Sequence, residues 1–177
     1  RYAAEYFETL RAKYADRQDD WRPAKAYVEI MQPIAECVYA SGTTNLDILK
    51  NNGAKWDMIG MSLYPYWALN SGKETSAEKT ITDCIANIKK VSEKYDCDVM
   101  IVETGMECAD DNGKLAGDAV LAEGKALLSR ILEECRDNTD GRCKGVFYWE
   151  PECKPSQYRL GAFTEDGSPT VIMDAFK

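Results

Sequence analysis

The chain has 177 residues, of which 45% are hydrophobic and 29% are charged, as is typical of a globular domain or a part of one. Its net charge of −8 disfavours a nucleic-acid partner, because binding to phosphates requires clustered lysine and arginine. Since the chain has no histidine, Ser-His-Asp and Cys-His catalysis and histidine-ligated zinc are excluded. Apolar runs are too short for a membrane span, and no signal peptide is recognisable at the start, which leaves the location open.

The seven cysteines include no Cys-x-x-Cys pair, which argues against a zinc ribbon. Buried free thiols are the simplest interpretation, since free cysteine packs as a small apolar residue. One or two disulfides in an exported protein are the alternative. The cysteines lie at positions 37, 84, 97, 108, 135, 143 and 153.

The first 45 residues have a helical pattern. Apolar residues at helical spacing predict a helix over residues 1–14. A second helix is expected over residues 23–39, with a kink at Pro33. After a polar loop, a short helix is expected at residues 46–49.

Strands and helices alternate from residue 56 onward. Short apolar runs bounded by turn residues predict strands, and amphipathic segments predict helices between them. The predicted strands are 57–64, 98–103 and 145–150, and the predicted helices are 76–95, 116–135 and 171–176. This alternation implies right-handed βαβ units and a parallel sheet.

The apolar positions predict which faces are buried. The continuous apolar run before Glu103 predicts a strand that is buried on both faces. Polar turns are expected at residues 110–113 and 165–167. The inward faces of the two long helices are predicted to be Ile81, Cys84, Ile85, Ile88 and Val91, and Val120, Leu127, Leu128, Ile131 and Leu132.

Both a doubly wound sheet and a (β/α)8 barrel fit this element order. No glycine-rich phosphate loop follows any predicted strand, which disfavours a nucleotide-binding doubly wound fold. Polar and aromatic residues cluster instead at the carboxyl ends of the strands, where barrel enzymes place their chemistry. These residues are Ser62, Tyr64, Tyr66, Glu103, Thr104, Trp149 and Glu150.

Glu103 is the main candidate for chemistry. A carboxylate after four apolar residues is costly unless it faces a cleft or is hydrogen-bonded, and a purely structural cap or ion pair is the alternative. Aromatic residues at the neighbouring strand ends favour a sugar ligand, because flat rings complement the apolar C–H faces of sugars. Trp149, directly before Glu150, is favoured for binding, whereas core packing is the alternative and is most plausible for Phe147 and Tyr148.

Three segments together resemble a known family. They are residues 56–67 (WDMIGMSLYPYW), 99–105 (VMIVETG) and 145–151 (GVFYWEP). In this order and spacing they resemble the last three strands of glycoside hydrolase family 53, the arabinogalactan endo-β-1,4-galactanases. The resemblance runs from about Leu49 to Lys177 and includes residues 160–163.

The resemblance implies an α/β fold, a TIM (β/α)8 barrel of which about three C-terminal strand–helix units are recognisable, and a retaining mechanism. The family's nucleophile, the glutamate of its Val-Glu-Thr motif, corresponds to Glu103. The expected substrate-binding residues are Tyr64, Trp67, Trp149 and Glu150, with Trp149 as a stacking platform. The family's acid/base is a glutamate that follows an asparagine, and this chain contains no Asn-Glu dipeptide.

The chain departs from the family in other ways. Ala68 follows Trp67 where relatives often carry histidine. Some relatives bind calcium after the last strand, but residues 152–156 have no evident ligand set, and the turn at 110–112 offers too few oxygens. We therefore expect no cofactor or metal. Residues 1–45 do not resemble the family's early strands, so we divide the chain into a helical segment, 1–45, and a barrel segment, 46–177.

These features predict a retaining endo-β-1,4-galactanase that acts on (arabino)galactan side chains of pectin, outside the cell, in the periplasm or on the cell surface. The alternative is a catalytically incomplete, carbohydrate-binding barrel fragment that lacks its acid/base. An unrelated α/β enzyme is a third possibility. The local candidates for a second carboxylate are Glu107, Glu150 and Glu152. In a barrel, Cys108 and Cys153 would follow neighbouring strands on one face, which makes a disulfide between them conceivable.

Overall fold

The computed structural model of the chain describes residues 45–51, 53–72 and 74–177. The helices predicted at 1–14 and 23–39, together with Cys37, lie outside the described residues. The chain divides into two compact units, residues 1–61 and 62–177. The first contains the helix α1 (Asn45–Asn51), which matches the predicted short helix, and the second contains the candidate site.

Strands and helices alternate through the described chain as predicted. After α1 the elements are β1 (Met58–Leu63), α2 (Pro65–Asn70), α3 (Ala77–Tyr95), β2 (Asp98–Thr104), α4 (Asp118–Asp137), β3 (Cys143–Val146) and a 3-10 helix (Val171–Phe176). The strands lie in the order β1-β2-β3 in one sheet, and β2 and β3 are parallel. No helix within the described ranges is long and apolar enough to cross a membrane.

The helix α3 follows its sequence pattern closely. Ser76 caps its first turn by accepting a hydrogen bond from the backbone N–H of Lys79 at 3.0 Å. Asp96 ends it in a left-handed conformation with φ of 49°. The predicted inward face is buried at every position: Ile81, Cys84, Ile85, Ile88 and Val91.

The strand β2 is buried on alternate residues, so the expectation of burial on both faces is wrong. Val99 and Ile101 are completely buried, whereas Met100 and Val102 are only half-buried. Successive residues of a strand point to opposite faces, so one face is fully covered and the other only partly.

The helix α4 buries a face that is rotated from the predicted one. Two predicted residues are fully buried, Leu128 and Ile131, and the other three, Val120, Leu127 and Leu132, are only half-buried. The additional buried positions are Leu121, Gly124 and Cys135. Because Gly124 has no side chain, Met106 and Ile172 approach to 3.1 and 3.2 Å from where its Cβ would stand. This close contact packs the 3-10 helix against α4.

The strand β3 is shorter than the predicted strand 145–150. Beyond Val146, the N–H groups of Phe147 and Trp149 donate to the carbonyl oxygens of Ile101 and Thr104, both at 2.8 Å. The two donors are two residues apart in sequence, whereas the two acceptors are three residues apart, so the regular pairing of β3 with β2 ends here. Phe147 is 60% exposed, which rules out the core-packing interpretation for this residue.

Valine at position 124 tests the close contact between α4 and the 3-10 helix. Gly124→Val is expected to lower the free energy of unfolding by about 1–3 kcal/mol, because the new side chain meets Met106 and Ile172. The control is Ala126→Val on the exposed side of α4, which should cost less than about 1 kcal/mol. Urea denaturation measures both variants, and equal losses would contradict the packing described.

Candidate active site

Glu103 lies near the end of β2, where its side chain is buried but hydrogen-bonded. Only 6% of the residue is exposed. The hydroxyl of Tyr64, which directly follows β1, donates to Oε2 of Glu103 at 3.3 Å. Beside it, the buried hydroxyl of Thr104 donates to the carbonyl oxygen of Leu63 at 2.7 Å. These two bonds join the carboxyl ends of β1 and β2, and the first gives the buried carboxylate a donor.

A second phenol, that of Tyr158, extends this arrangement. The hydroxyls of Tyr64 and Tyr158 lie close to each other, and Tyr158 also lies close to both Glu103 and Glu150. Burial raises the pKa of Tyr64, and the neighbouring Tyr158 and Glu103 raise it further. Burial likewise raises the pKa of Tyr158. Both phenols therefore keep their protons and remain hydrogen-bond donors at neutral pH.

The aromatic residues predicted at the neighbouring strand ends occupy different surroundings. Trp149 is 42% exposed, and its N–H bond to the carbonyl oxygen of Thr104 fixes its backbone one residue from Glu103. Trp67 is 49% exposed on α2, where it makes an edge-to-face contact with Tyr66 at 4.9 Å between ring centroids. Trp149 is thus hydrogen-bonded to the end of β2 that carries Glu103, whereas the ring of Trp67 contacts a residue of its own helix.

Glu150 is exposed and has a left-handed backbone conformation, with φ of 45°. Its Oε2 accepts a hydrogen bond from the thiol of Cys153 at 3.6 Å. Through Tyr158 it shares a neighbour with Glu103. Both glutamates were predicted from the sequence, whereas Tyr158, which lies in a segment with no helical or strand pattern, was not.

Two loops close tightly around the residues that follow Glu103. The hydroxyl of Tyr148 accepts the N–H of Met106 at 2.8 Å and donates to the carbonyl oxygen of Gly161 at 2.7 Å. A Cβ on Gly105 would stand 2.8 Å from the carbonyl oxygen of Leu160. Glycine at this position thus allows the 160–161 backbone to contact the loop after β2. Tyr148 thus has a structural role, since its hydroxyl connects the two loops.

Arg159 connects three parts of the site. Its guanidinium pairs with Glu107 at 2.7 Å and with Asp111, and lies 5.4 Å from the centroid of the Tyr66 ring. Of the three local candidates for a second carboxylate, Glu107 is thus held in an ion pair. Glu152 is exposed to solvent.

The disulfide that was considered between Cys108 and Cys153 is not formed. The buried thiol of Cys108 donates to the carbonyl oxygen of Phe163 at 3.8 Å, whereas Cys153 bonds Glu150. All six described cysteines are free thiols, and four of them are buried, which confirms the simpler interpretation for this part of the chain.

The acidic turn after β2 is organised by its own backbone. Oδ1 of Asp110 accepts the N–H groups of Asn112 and Lys114, at 2.8 and 2.9 Å, and these bonds lower the pKa of Asp110. Among the described residues there is no cluster of three or more carboxylate or thiolate side chains that could hold a metal ion. The turn predicted at 110–113 is confirmed.

Parallel strands linked by helices, with a buried carboxylate and exposed aromatic rings at the strand ends, are features of glycoside hydrolases with a barrel fold. Glycosyl hydrolase family 53 matches residues 14–170, and the chain belongs to this family. The resemblance in the three segments is therefore confirmed. The matched region begins at residue 14, well before Leu49, the residue from which the resemblance was expected to run.

Individual relatives agree with this assignment. An endo-β-1,4-galactanase of Bacillus subtilis (strain 168) is 28% identical over 120 residues, which cover 62% of this chain and 26% of that protein. A fungal β-1,4-galactanase structure has a TM-score of 0.54 at 18% identity, over 75% of this chain and 42% of its own. The family 53 catalytic domain of Ignisphaera aggregans gives 0.56 at 16% identity, over 75% and 41%.

The similarity in fold reaches beyond the family. A thermostable mutant of the xylanase Xyn10A from Cellvibrio japonicus has a TM-score of 0.52 at 16% identity, over 73% of this chain and 41% of its own. The family and these neighbours imply a TIM barrel, of which the described residues contain three strands. The chain spans less than half the length of each of these relatives.

The buried phenols predict a loss of stability at alkaline pH. Burial raises the pKa values of Tyr64, Tyr148 and Tyr158 above the ordinary value of 10.0. Above that pH the unfolded chain loses phenolic protons that the folded chain retains, so the free energy of unfolding falls as the pH rises. Urea denaturation at a series of pH values measures this slope. Tyrosinate absorbance, at about 295 nm, should rise together with unfolding.

The matched variant for this test is Tyr148→Phe. It removes one buried phenol, so its stability should fall less steeply above pH 10.0, even though it starts from a lower value at neutral pH. An unchanged slope would contradict the contribution assigned to Tyr148.

Proposed function

We propose that this chain provides the nucleophile and part of the substrate cleft of a retaining endo-β-1,4-galactanase, with Glu103 as the nucleophile. The observation that supports this most is the position of Glu103: a buried carboxylate at a strand end, held by the Tyr64 hydroxyl, in a chain of family 53. The relative from Bacillus subtilis carries the same activity in its name.

In the proposed reaction, the carboxylate of Glu103 attacks the anomeric carbon of a galactosyl unit. The bond to the glycosidic oxygen breaks as that oxygen takes a proton from a second carboxyl group about 5 Å away. Water, deprotonated by the same second group, then displaces Glu103 and restores the original configuration. The hydroxyl of Tyr64 donates to Oε2 of Glu103 and so helps to hold the carboxylate in place.

The substrate would bind across the exposed rings at the strand ends. Trp149 offers a flat apolar surface to a galactose ring, and Trp67 extends the aromatic surface on α2. The exposed carboxylate of Glu150 would accept hydrogen bonds from sugar hydroxyls. The proposed ligands are galactan or galacto-oligosaccharides, including the galactan side chains of pectin, and the proposed location is extracellular, periplasmic or at the cell surface.

A second candidate function is binding of galactan without efficient turnover. It is favoured by the lack of an Asn-Glu dipeptide in this chain and by the engagement of Glu107 with Arg159. Without proton donation to the leaving oxygen, the rate falls by a factor of about 10²–10⁴. Glu150, which shares Tyr158 as a neighbour with Glu103, is then the described carboxylate best placed to substitute.

Two substrates separate the candidate functions. The full chain is incubated with β-1,4-galactan and, separately, with a 2,4-dinitrophenyl β-galactobioside, whose leaving group departs without a proton. Hydrolysis of both supports a complete site, whereas release of dinitrophenolate alone supports a nucleophile that lacks its acid. Oligosaccharide binding without either product supports the second candidate function.

Replacing Glu103 by glutamine is expected to abolish release of dinitrophenolate, because the amide cannot form the glycosyl ester. The control is Glu123→Gln, an exposed glutamate on α4, which should retain the parent rate. In Glu103→Ala, added azide should restore turnover and yield the α-configured galactobiosyl azide. Near-normal activity in Glu103→Gln would sink the assignment.

Truncation of Trp149 to alanine is expected to weaken galacto-oligosaccharide binding by about 3- to 10-fold, which corresponds to the loss of one ring contact. Phe176→Ala is the control, because Phe176 is similarly exposed, at 45%, but lies on the 3-10 helix. Titration calorimetry with galactotetraose measures both variants. Equal weakening in the two variants, or none in Trp149→Ala, would argue against a stacking role for Trp149.

A further inference from the structure

Two cysteines lie close together between the end of α4 and the start of β3. The side chains of Cys135 and Cys143 are near enough for each to shift the pKa of the other. Cys135 is buried, with 4% exposed, whereas Cys143 is half-buried. Neither thiol takes part in the site around Glu103.

The backbone holds this pair together independently of the thiol contact. The buried hydroxyl of Thr139 donates to the carbonyl oxygen of Cys135 at 2.6 Å and accepts the N–H of Cys143 at 3.1 Å. Asp140 and Gly141 turn the chain with φ of 53° and 72°. A single buried oxygen therefore bridges the two cysteine backbones, and the turn returns the chain to bring them opposite each other.

The surroundings make the two thiols unequal. The Cys135 thiol stabilises the thiolate of Cys143 by hydrogen bonding, and so lowers the pKa of Cys143, with a further contribution from Lys144. The same contact, together with burial, raises the pKa of Cys135. Cys143 is thus the nucleophile of the pair, and Cys135 is the enclosed partner that reacts second.

We propose that Cys135 and Cys143 form a disulfide in an oxidising environment, which covalently links α4 to β3. The thiolate of Cys143 attacks one sulfur of a low-molecular-weight disulfide and releases one thiol as a mixed disulfide forms. Cys135 then loses its proton and attacks the Cys143 sulfur, which releases the second thiol. The two electrons pass from the cysteine pair to the small disulfide, which is reduced to two thiols.

The link would fix the base of the segment that carries Trp149. β3 begins at Cys143 and leads directly to the residues that pair with the end of β2. A covalent bond across the 136–142 connection restricts the unfolded chain, and it should raise the melting temperature by roughly 5–10 °C. Cys84 also lies near Cys135 and is the competing partner within the described chain.

The test uses the full reduced chain, with oxidised glutathione as the disulfide. After incubation under native conditions, free thiols are blocked with N-ethylmaleimide and the chain is digested with trypsin. Cleavage at the basic residues 130, 136, 142 and 144 releases the peptides 131–136 and 143–144. The expected product is these two peptides joined by a disulfide, which dithiothreitol separates, accompanied by the increase in melting temperature.

Two variants make the result specific. Cys143→Ser should eliminate both the joined peptide and the thermal shift, whereas Cys153→Ser, which alters the other half-exposed described thiol, should retain both. The proposal is overturned if both cysteines are alkylated after oxidation. It is equally overturned if Cys143 stops at the glutathione adduct or if Cys135 is joined to Cys84.

Discussion

The hydrogen bond from Tyr64 to Glu103 is the interaction on which the site depends. A carboxylate at the end of an apolar strand loses its hydration when it is buried, and hydrogen bonds must replace it. Tyr64 supplies one donor, and Tyr158 lies beside the Tyr64 hydroxyl. The position of the carboxylate thus depends in part on this chain of two phenols. The same chain reaches Glu150, so the two glutamates are connected through tyrosines.

The loops serve this arrangement by restricting where the phenols lie. Gly105 lets the backbone at Leu160 contact the residues after Glu103, and Tyr148 bonds both loops with one hydroxyl. Tyr158 stands just before Leu160 in the same loop. A displacement of this segment would separate Tyr158 from Tyr64, so the close packing around a glycine and the hydrogen bonding of Glu103 are coupled.

Elements with a regular pattern were predictable from sequence, because periodic burial determines them. The helix α3 has the predicted bounds and inward face, and Glu103 and Tyr64 lie together as expected from the ends of two neighbouring strands. The inward face of α4 was predicted only in part, because a glycine at 124 carries no hydrophobic signal yet makes the closest contact. β3 is short because the spacing of the hydrogen-bond donors after it differs from the spacing of their acceptors on β2. The residue types of the two strands do not indicate this difference. Tyr158 lies in an irregular loop, where no hydrophobic periodicity predicts which residues are its neighbours in space.

Arg159 makes the anchoring of the site unequally sensitive to ionic strength. Its partner Asp111 has a side chain that is 95% exposed, whereas the side chain of Glu107 is 36% exposed. Dissolved ions screen the outer pair strongly and the inner pair less, and they leave the contact with the Tyr66 ring largely intact. In concentrated salt the acidic turn at Asp111 would therefore separate from the guanidinium first, while the link between α2 and the loop after β2 persists.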